Sequence, residues 1–421
     1  MNKQSINLNI RYSLYQFGYW VDYLIIASFG AVLLKARGFE PGEIGYVTTI
    51  GAVLTIVLQT GLSSLADSSE HITVKQILLA LMLGGAAMAA VLWLVPKVYA
   101  VSFVCMFTAL ALVNTMQPLM TSLCLQYNAA GHRMNFGIAR SLGSLGYALA
   151  GFAMGWFTEV LGTEAILPAF SGIFIALMIL VALMRKSEPM QAVKAGDVSA
   201  ESGEKPSSLI QFFRQYKRYD LFLAGVVLMF FMQMITNTFM IYFVEHFGGG
   251  QSDLGLVLSV CAFAEMPAVA FSSQLMKRFS PANMLRISSL GGLLKFALML
   301  VIPDVRWLIG IQVLQFFFSG FYMVSSVYYV DSLVSKKDAV KAQGIMAVGI
   351  TGISGIAANL FGGWMLDHMP VGTLMAVGVS ASLIGAVLIF AATGKHSRSS
   401  KEHRFNTNVT ISAMGISQCG S

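Results

Sequence analysis

Charge is scarce in this chain. Its 421 residues include 20 Asp and Glu and 27 Lys and Arg, so 11% are charged. A soluble domain carries roughly 25%. So few charges cannot cover a water-exposed surface, and most of this surface must face lipid. Cysteine is scarce too. The four thiols, Cys105, Cys124, Cys261 and Cys419, show no CxxC spacing and no neighbouring His, which leaves no basis for a disulfide framework or a thiolate metal centre. No GxxxxGK[ST] phosphate loop is present, which argues against an ATP-driven pump within the chain, and there is no HExxH. The six His are scattered, mostly in loops. No metal, cofactor or catalytic residue is expected, and the chain does not read as an enzyme. The apolar segment after Lys3 and Arg11 is not followed by a small-residue cleavage site, so it is expected to remain as a helix.

Hydrophobic residues, by contrast, make up 56% of the chain, and the mean hydropathy is +0.70. A bilayer-spanning helix needs roughly 20 apolar residues. Twelve runs qualify between positions 11 and 393, among them 11–34, 138–158, 253–276, 305–330 and 342–366. The reading is an all-α integral membrane protein with twelve transmembrane helices in two six-helix pseudo-symmetric bundles. Residues 1–184 form the first bundle and 219–393 the second. Between them, 185–218 is polar and reads as a flexible linker; 394–421 reads as a disordered tail. With both termini placed in the cytoplasm, 21 of the 27 Lys and Arg fall on the cytoplasmic side and four on the other. That asymmetry sets the orientation and accounts for the net charge of +7 without a nucleic-acid partner.

The halves also resemble each other. In the fifth run, Gly137 leads through Gly143, Gly146 and Gly155 to Trp156 and Glu159. In the eleventh, Gly344 leads through Gly349, Gly352 and Gly362 to Trp364 and Asp367. The Gly-to-Trp spacing is 19 in one and 20 in the other. Repeats of this kind typify secondary transporters, whose solute sites lie between the repeats near the midplane. Close packing of small residues is the plainer account of such glycines.

Ionisable residues inside a membrane are costly, which makes each a candidate for function. Five qualify: Asp22, Arg140, Glu265, Lys295 and Asp331. Ser144 and Tyr147 follow Arg140 at +4 and +7, so the three share a helix face. A guanidinium can clamp hydroxyls or a carboxylate with its fork; the alternative is an interfacial anchor. Glu265 sits in Val260-Cys-Ala-Phe-Ala-Glu-Met-Pro267, where Pro267 predicts a kink. It is expected to face a cavity as a solute acceptor or proton carrier, unless it simply pairs with Lys295. Tyr12, Tyr15, Tyr19 and Asp22 read as a polar and aromatic stripe on the first span; an interfacial tyrosine belt would fit Tyr12 well and Tyr19 poorly. On span ten, Gln312, Gln315, Ser319, Tyr322, Ser326 and Tyr329 recur in alternating steps of 3 and 4, which predicts one continuous polar face. Asn114 and Gln117 on span four, and Gln233 and Asn237 on span seven, are further candidates for solute contact or for interhelical hydrogen bonding.

The segment Asn135-Phe-Gly-Ile-Ala-Arg-Ser-Leu-Gly-Ser-Leu-Gly-Tyr-Ala-Leu149 resembles the major facilitator superfamily, and within it the lactose permease-like oligosaccharide:proton symporter branch. Leu58-Gln-Thr-Gly-Leu-Ser-Ser-Leu-Ala-Asp67 is similar to the gating loop of that superfamily. The resemblance covers roughly residues 10–393. It implies that Arg140 and Tyr147 hold the sugar ring, that Glu265 binds solute, and that Asp67 belongs to the gate. The branch's second carboxylate falls on Ser122, its span-ten His and Glu on Gln315 and Phe318, and its span-nine Arg on Lys295. Lactose itself is therefore not implied, and proton coupling falls to Glu265, Asp22, Asp331 and Lys295. Nucleoside and phenylpropionate permeases are similar. The expectation is a monomeric, proton-coupled importer in the cell membrane. Its solute contacts would be Arg140, Tyr147, Ser144, Glu265, Tyr19, Asn114, Gln117, Asn237, Gln312 and Gln315. The rivals are a permease for a nucleoside or an aromatic acid, an exporter of drug-like compounds and, from another class, a non-transporting receptor or sensor on the same scaffold.

Overall fold

A computed structural model describes residues 3–68, 72–95, 98–132, 134–184 and 207–394. The tail and most of the stretch read as a linker lie outside the described residues. Every predicted span is helical. Among the described residues, ten helical segments are long and apolar enough to cross a membrane by length and composition alone. The two others, Phe136–Leu161 (span five) and Pro281–Leu298 (span nine), carry Arg140 and Lys295 respectively and complete the twelve. The last part of the linker stretch departs from expectation. Ser208 caps a short helix, Leu209–Gln215, and span seven already begins at Lys217. Ser207 is tied down as well, since its backbone N–H and its hydroxyl donate to the Asp338 carboxylate at 2.9 and 2.7 Å.

Span boundaries follow ordinary end chemistry. Gly38, Gly162 and Gly248 turn the chain at φ of 85°, 83° and 77° just beyond a helix, a conformation that glycine adopts without a Cβ clash. Asn135 opens span five by accepting from the Ile138 N–H at 3.1 Å. Asp304 opens span ten by accepting from Arg306 N–H at 2.9 Å.

The two halves meet through spans five and eight and through spans two and eleven. Both crossings rest on glycine. A Cβ on Gly155 would come within 2.9 Å of Gly255 Cα in span eight, and one on Gly363 within 2.6 Å of the Pro41 carbonyl at the start of span two. No larger residue fits without moving a backbone. At the same end of the molecule a carboxylate finishes each crossing. Glu159 accepts from the Ser252 N–H at 3.0 Å, and Asp367 accepts from the Gly42 N–H with both oxygens at 3.0 Å. Each acid therefore sits on the N-terminus of a helix in the opposite half, where the helix dipole favours it. Lys35 and Glu245 add an ion pair between the halves there. The expected likeness of spans five and eleven thus has a structural counterpart: glycine crossing first, acidic cap second.

Candidate solute-binding site

Arg140 lies one turn into span five. It donates to Ser144 Oγ at 2.9 Å, and its guanidinium lies 4.1 Å from the centroid of the Trp20 ring. The space for that indole is left by Gly143, where a side chain would collide with it. Trp20, Tyr23 and Tyr147 pack edge-on and tilted, with centroids 5.2 to 6.5 Å apart. The Tyr147 hydroxyl is 3.5 Å from Ser28 Oγ, at the break in span one. Arg140, Ser144 and Tyr147 do share a face, and that face carries an aromatic wall.

The opposite wall comes from spans eight, nine and ten. Lys295 is wholly buried. It donates to Gln315 Oε1 at 2.6 Å, and Gln315 Nε2 donates to Glu265 Oε1 at 2.7 Å. Lys295 and Glu265 are therefore linked through an amide, not paired directly as the simpler sequence alternative had it. Arg140 is within electrostatic reach of Glu265 from across the interface. Cys261, one turn before Glu265, is within electrostatic reach of the same carboxylate and ammonium.

Gln315 reaches both partners because span ten is broken. Val305–Ile311 is α-helical, Gln312–Phe316 is 3₁₀, and the α-helix resumes at Ser319. Residues three apart eclipse in a 3₁₀ turn, so Gln312 stands directly above Gln315. The continuous polar face predicted from 312 to 329 does not form. Phe318 takes φ −69°, ψ −83°, and its carbonyl accepts from Ser288 Oγ at 2.6 Å. Gly291 and Gly292 of span nine leave room for Phe317 and Phe318. Below the break, Tyr322 packs on Phe230 at 4.7 Å between centroids, and Tyr329 donates to the Ala392 carbonyl at 2.8 Å.

The other expected residues divide between helix packing and exposed positions. Tyr12, Tyr15 and Tyr19 are fully buried, which rules out an interfacial belt. Tyr19 stands beside Arg140, but its hydroxyl donates to the Val113 carbonyl of span four at 3.2 Å, so it serves helix packing. Asp22 is also fully buried, and among the described residues neither of its carboxylate oxygens has a partner. It lies one turn beyond Gly18, which packs on Leu177 of span six. That face points away from the Trp20–Tyr147 wall. Asp331 is exposed near the end of span ten and accepts from Gln343 at 3.1 Å. Asn114 donates to its own helix, to the Leu110 carbonyl at 2.8 Å. Gln117 and Asn237 are exposed, and Asn237 Oδ1 accepts from Gln233 at 2.7 Å. Gln312 is buried; its amide donates to the Leu308 carbonyl at 3.1 Å while its own carbonyl has no partner among the described residues. The side chain of Asp67 lies outside the described residues. The sequence reading missed Trp20, Tyr23 and Cys261. The signal for the first two was their i, i+3 spacing on span one opposite the glycines of span five.

Residues 10–387 match the MFS_1 like family. The chain belongs to that family. It is a secondary transporter of the major facilitator type. Among curated relatives, the maltose permease of Geobacillus stearothermophilus is 23% identical over 91% of this chain and 95% of its own length. The probable 3-phenylpropionic acid transporter of Escherichia coli (strain K12) is 24% identical over 87% and 93%. The solved nucleoside transporter NupG superposes with a TM-score of 0.72 at 18% identity, covering 93% of this chain and 98% of that one. A bacterial homolog of the human lysosomal transporter Spinster, inward-facing and unoccupied, gives 0.66 at 12% identity over 93% and 98%. At such identities these superpositions establish the facilitator fold alone.

Proposed function

We propose that this transporter is a proton-coupled importer, acting as a monomer in the cell membrane, of a sugar, an oligosaccharide or a similar small ring-bearing solute. The observation that carries the reading is the central pair of walls. Arg140, with Trp20 and Tyr147, stands on one half, and Glu265, Gln315 and Lys295 stand on the other, at a discontinuous helix. Broken helices at the interface of two repeats are where transporters of this architecture bind solute. A guanidinium fork beside flat aromatic faces suits a ring with polar substituents. The relative named maltose permease supports the sugar; the relative named for 3-phenylpropionic acid supports an aromatic acid as the second reading.

Both termini are cytoplasmic in this reading. The end closed by the two glycine crossings then faces outward, and the site opens inward. Glu265 is the principal coupling group because it alone of the membrane carboxylates joins the site; Asp22 is second. Purified protein in liposomes, with an imposed inward proton gradient, tests this. Labelled maltose, uridine or 3-phenylpropionate should accumulate above its outside concentration and leak back when a protonophore is added. Binding of a solute without its movement would instead favour a receptor. A cysteine introduced at Ser207 should resist impermeant reagents applied outside intact cells; ready labelling would reverse the orientation.

A further inference from the structure

We infer that the solute is a monoanion, a carboxylate carried on a flat ring, and that Arg140 receives the carboxylate. The inference rests on the same site as the proposed transport and adds the charge of its cargo. The site holds two cations and one carboxylate. Lys295, wholly buried, has a neutral amide as its hydrogen-bond partner. Arg140 has one hydroxyl and one aromatic face. Among the described residues neither forms an ion pair; the three pairs found are Lys35–Glu245, Arg37–Glu164 and Lys217–Asp220. Glu265, tied to Lys295 through Gln315, balances one positive charge. Arg140 is in reach of the same carboxylate only, and one carboxylate leaves one of the two positive charges unbalanced. Asp22, two residues and so about half a turn from Trp20, makes no ion pair among the described residues, and Asp331 sits near the end of span ten with Gln343.

An unbalanced charge within a membrane is costly and calls for a partner. A solute carboxylate supplies it. A cationic solute would add to the surplus, a neutral one would leave it, and a dianion would overshoot. The donors favour the same chemistry. A guanidinium offers five N–H groups in a fork matched to a carboxylate, and one Arg140 bond to protein is described. The Trp20 indole N–H, beside it, is buried with no acceptor among the described residues. The rings of Trp20, Tyr23 and Tyr147 then lie where the flat body of the solute would rest. Moved with one proton, such an anion crosses without net charge.

Matched pairs of probes test the charge. Binding to the purified full-length protein would be measured for 3-phenylpropionate against 3-phenylpropanamide, and for galacturonate against galactose. The first pair carries the carboxylate on an aromatic ring, the second on a sugar. In at least one pair the acid should bind roughly ten- to a hundredfold more tightly, the worth of a hydrogen bond to a charged group. Arg140→Gln should erase that preference. Glu265→Gln, near in shape, removes the site's carboxylate and should keep the preference or enlarge it. The inference fails if the neutral member binds as tightly in both pairs. It fails equally if none of the four probes binds at millimolar concentration, or if the preference survives in Arg140→Gln. Transport gives a separate readout. Uptake of the acid should follow the pH gradient and ignore an imposed membrane potential. Stimulation of a neutral solute's uptake by an inside-negative potential would overturn the charge and leave transport standing. Selective acid binding without uptake would do the reverse.

Discussion

The two walls of the site are built differently. On the first half, Arg140, Ser144 and Tyr147 stand on an unbroken helix: span five runs from Phe136 to Leu161 without interruption, and Arg140 is held by Ser144 and by the Trp20 ring of span one, whose break at Ser28 lies beyond Trp20 and Tyr23. On the second half Glu265 and Gln315 hang from interrupted helices, while Lys295 stands on the continuous span nine. Span seven kinks at Phe239, span eight breaks at Phe271, span ten unwinds over 312–318 and span eleven is π-helical over Val348–Ser354. Edge-packed and tilted rings with a guanidinium give a wall that is set before solute arrives. A relay from Lys295 through Gln315 to Glu265 gives one whose hydrogen bonds can be exchanged. The contrast assigns solute orientation to the first half and the change of state to the second. Irregular turns in membrane helices are tolerated where neighbours satisfy the freed backbone groups, as Ser288 does for Phe318.

That contrast can be broken in order of effect. Arg140→Lys keeps the charge but loses the fork and the flat stacking surface. We predict a loss of solute binding approaching roughly a hundredfold, the upper worth of such a bond, with normal membrane insertion; wild-type uptake would reduce Arg140 to an anchor. Glu265→Gln should next abolish accumulation against a gradient, because the amide cannot carry a proton, while exchange of solute for solute survives in part. Counterflow and gradient-driven uptake measured in the same vesicles separate the two, and unchanged accumulation would move the coupling role to Asp22. Gly292→Ala sharpens the comparison from the other side. Its Cβ would meet the Phe318 ring at 2.6 to 3.1 Å. We predict a destabilisation of about 1–3 kcal/mol from overpacking, read by thermal denaturation, together with weakened solute binding. No change in either would mean that the broken stretch is freely adjustable.

The smallest effect is expected at the closed end. Glu159→Gln and Asp367→Asn each remove a charge from a helix N-terminus, where the helix dipole favours it and solvent screens it. Spin-label distances across that end should shift modestly toward the open population in each variant, and further in the double variant. An unchanged distribution would leave closure to the glycine crossings alone.

Much of this was legible in the amino-acid sequence because each membrane residue meets lipid on its own account. Sparse charge and long apolar runs determined the class and the spans, and the glycine-to-tryptophan spacing pointed to the repeat. The cost of ionisable groups singled out Arg140, Glu265 and Lys295. What those residues meet was decided by helix rotation and by breaks, which periodicity does not encode. A straight span ten would have carried Gln312 to Tyr329 on one face. The bulky Phe316–Phe318 run, seated against Gly291 and Gly292, unwinds it and delivers Gln315 between Lys295 and Glu265. The close contact of span five with span one, permitted by Gly143 and Gly146, turns Trp20 into the site and Asp22 out of it. Hydropathy is a property of single residues and survives in the sequence; register between helices is a property of pairs and exists only in the packed molecule.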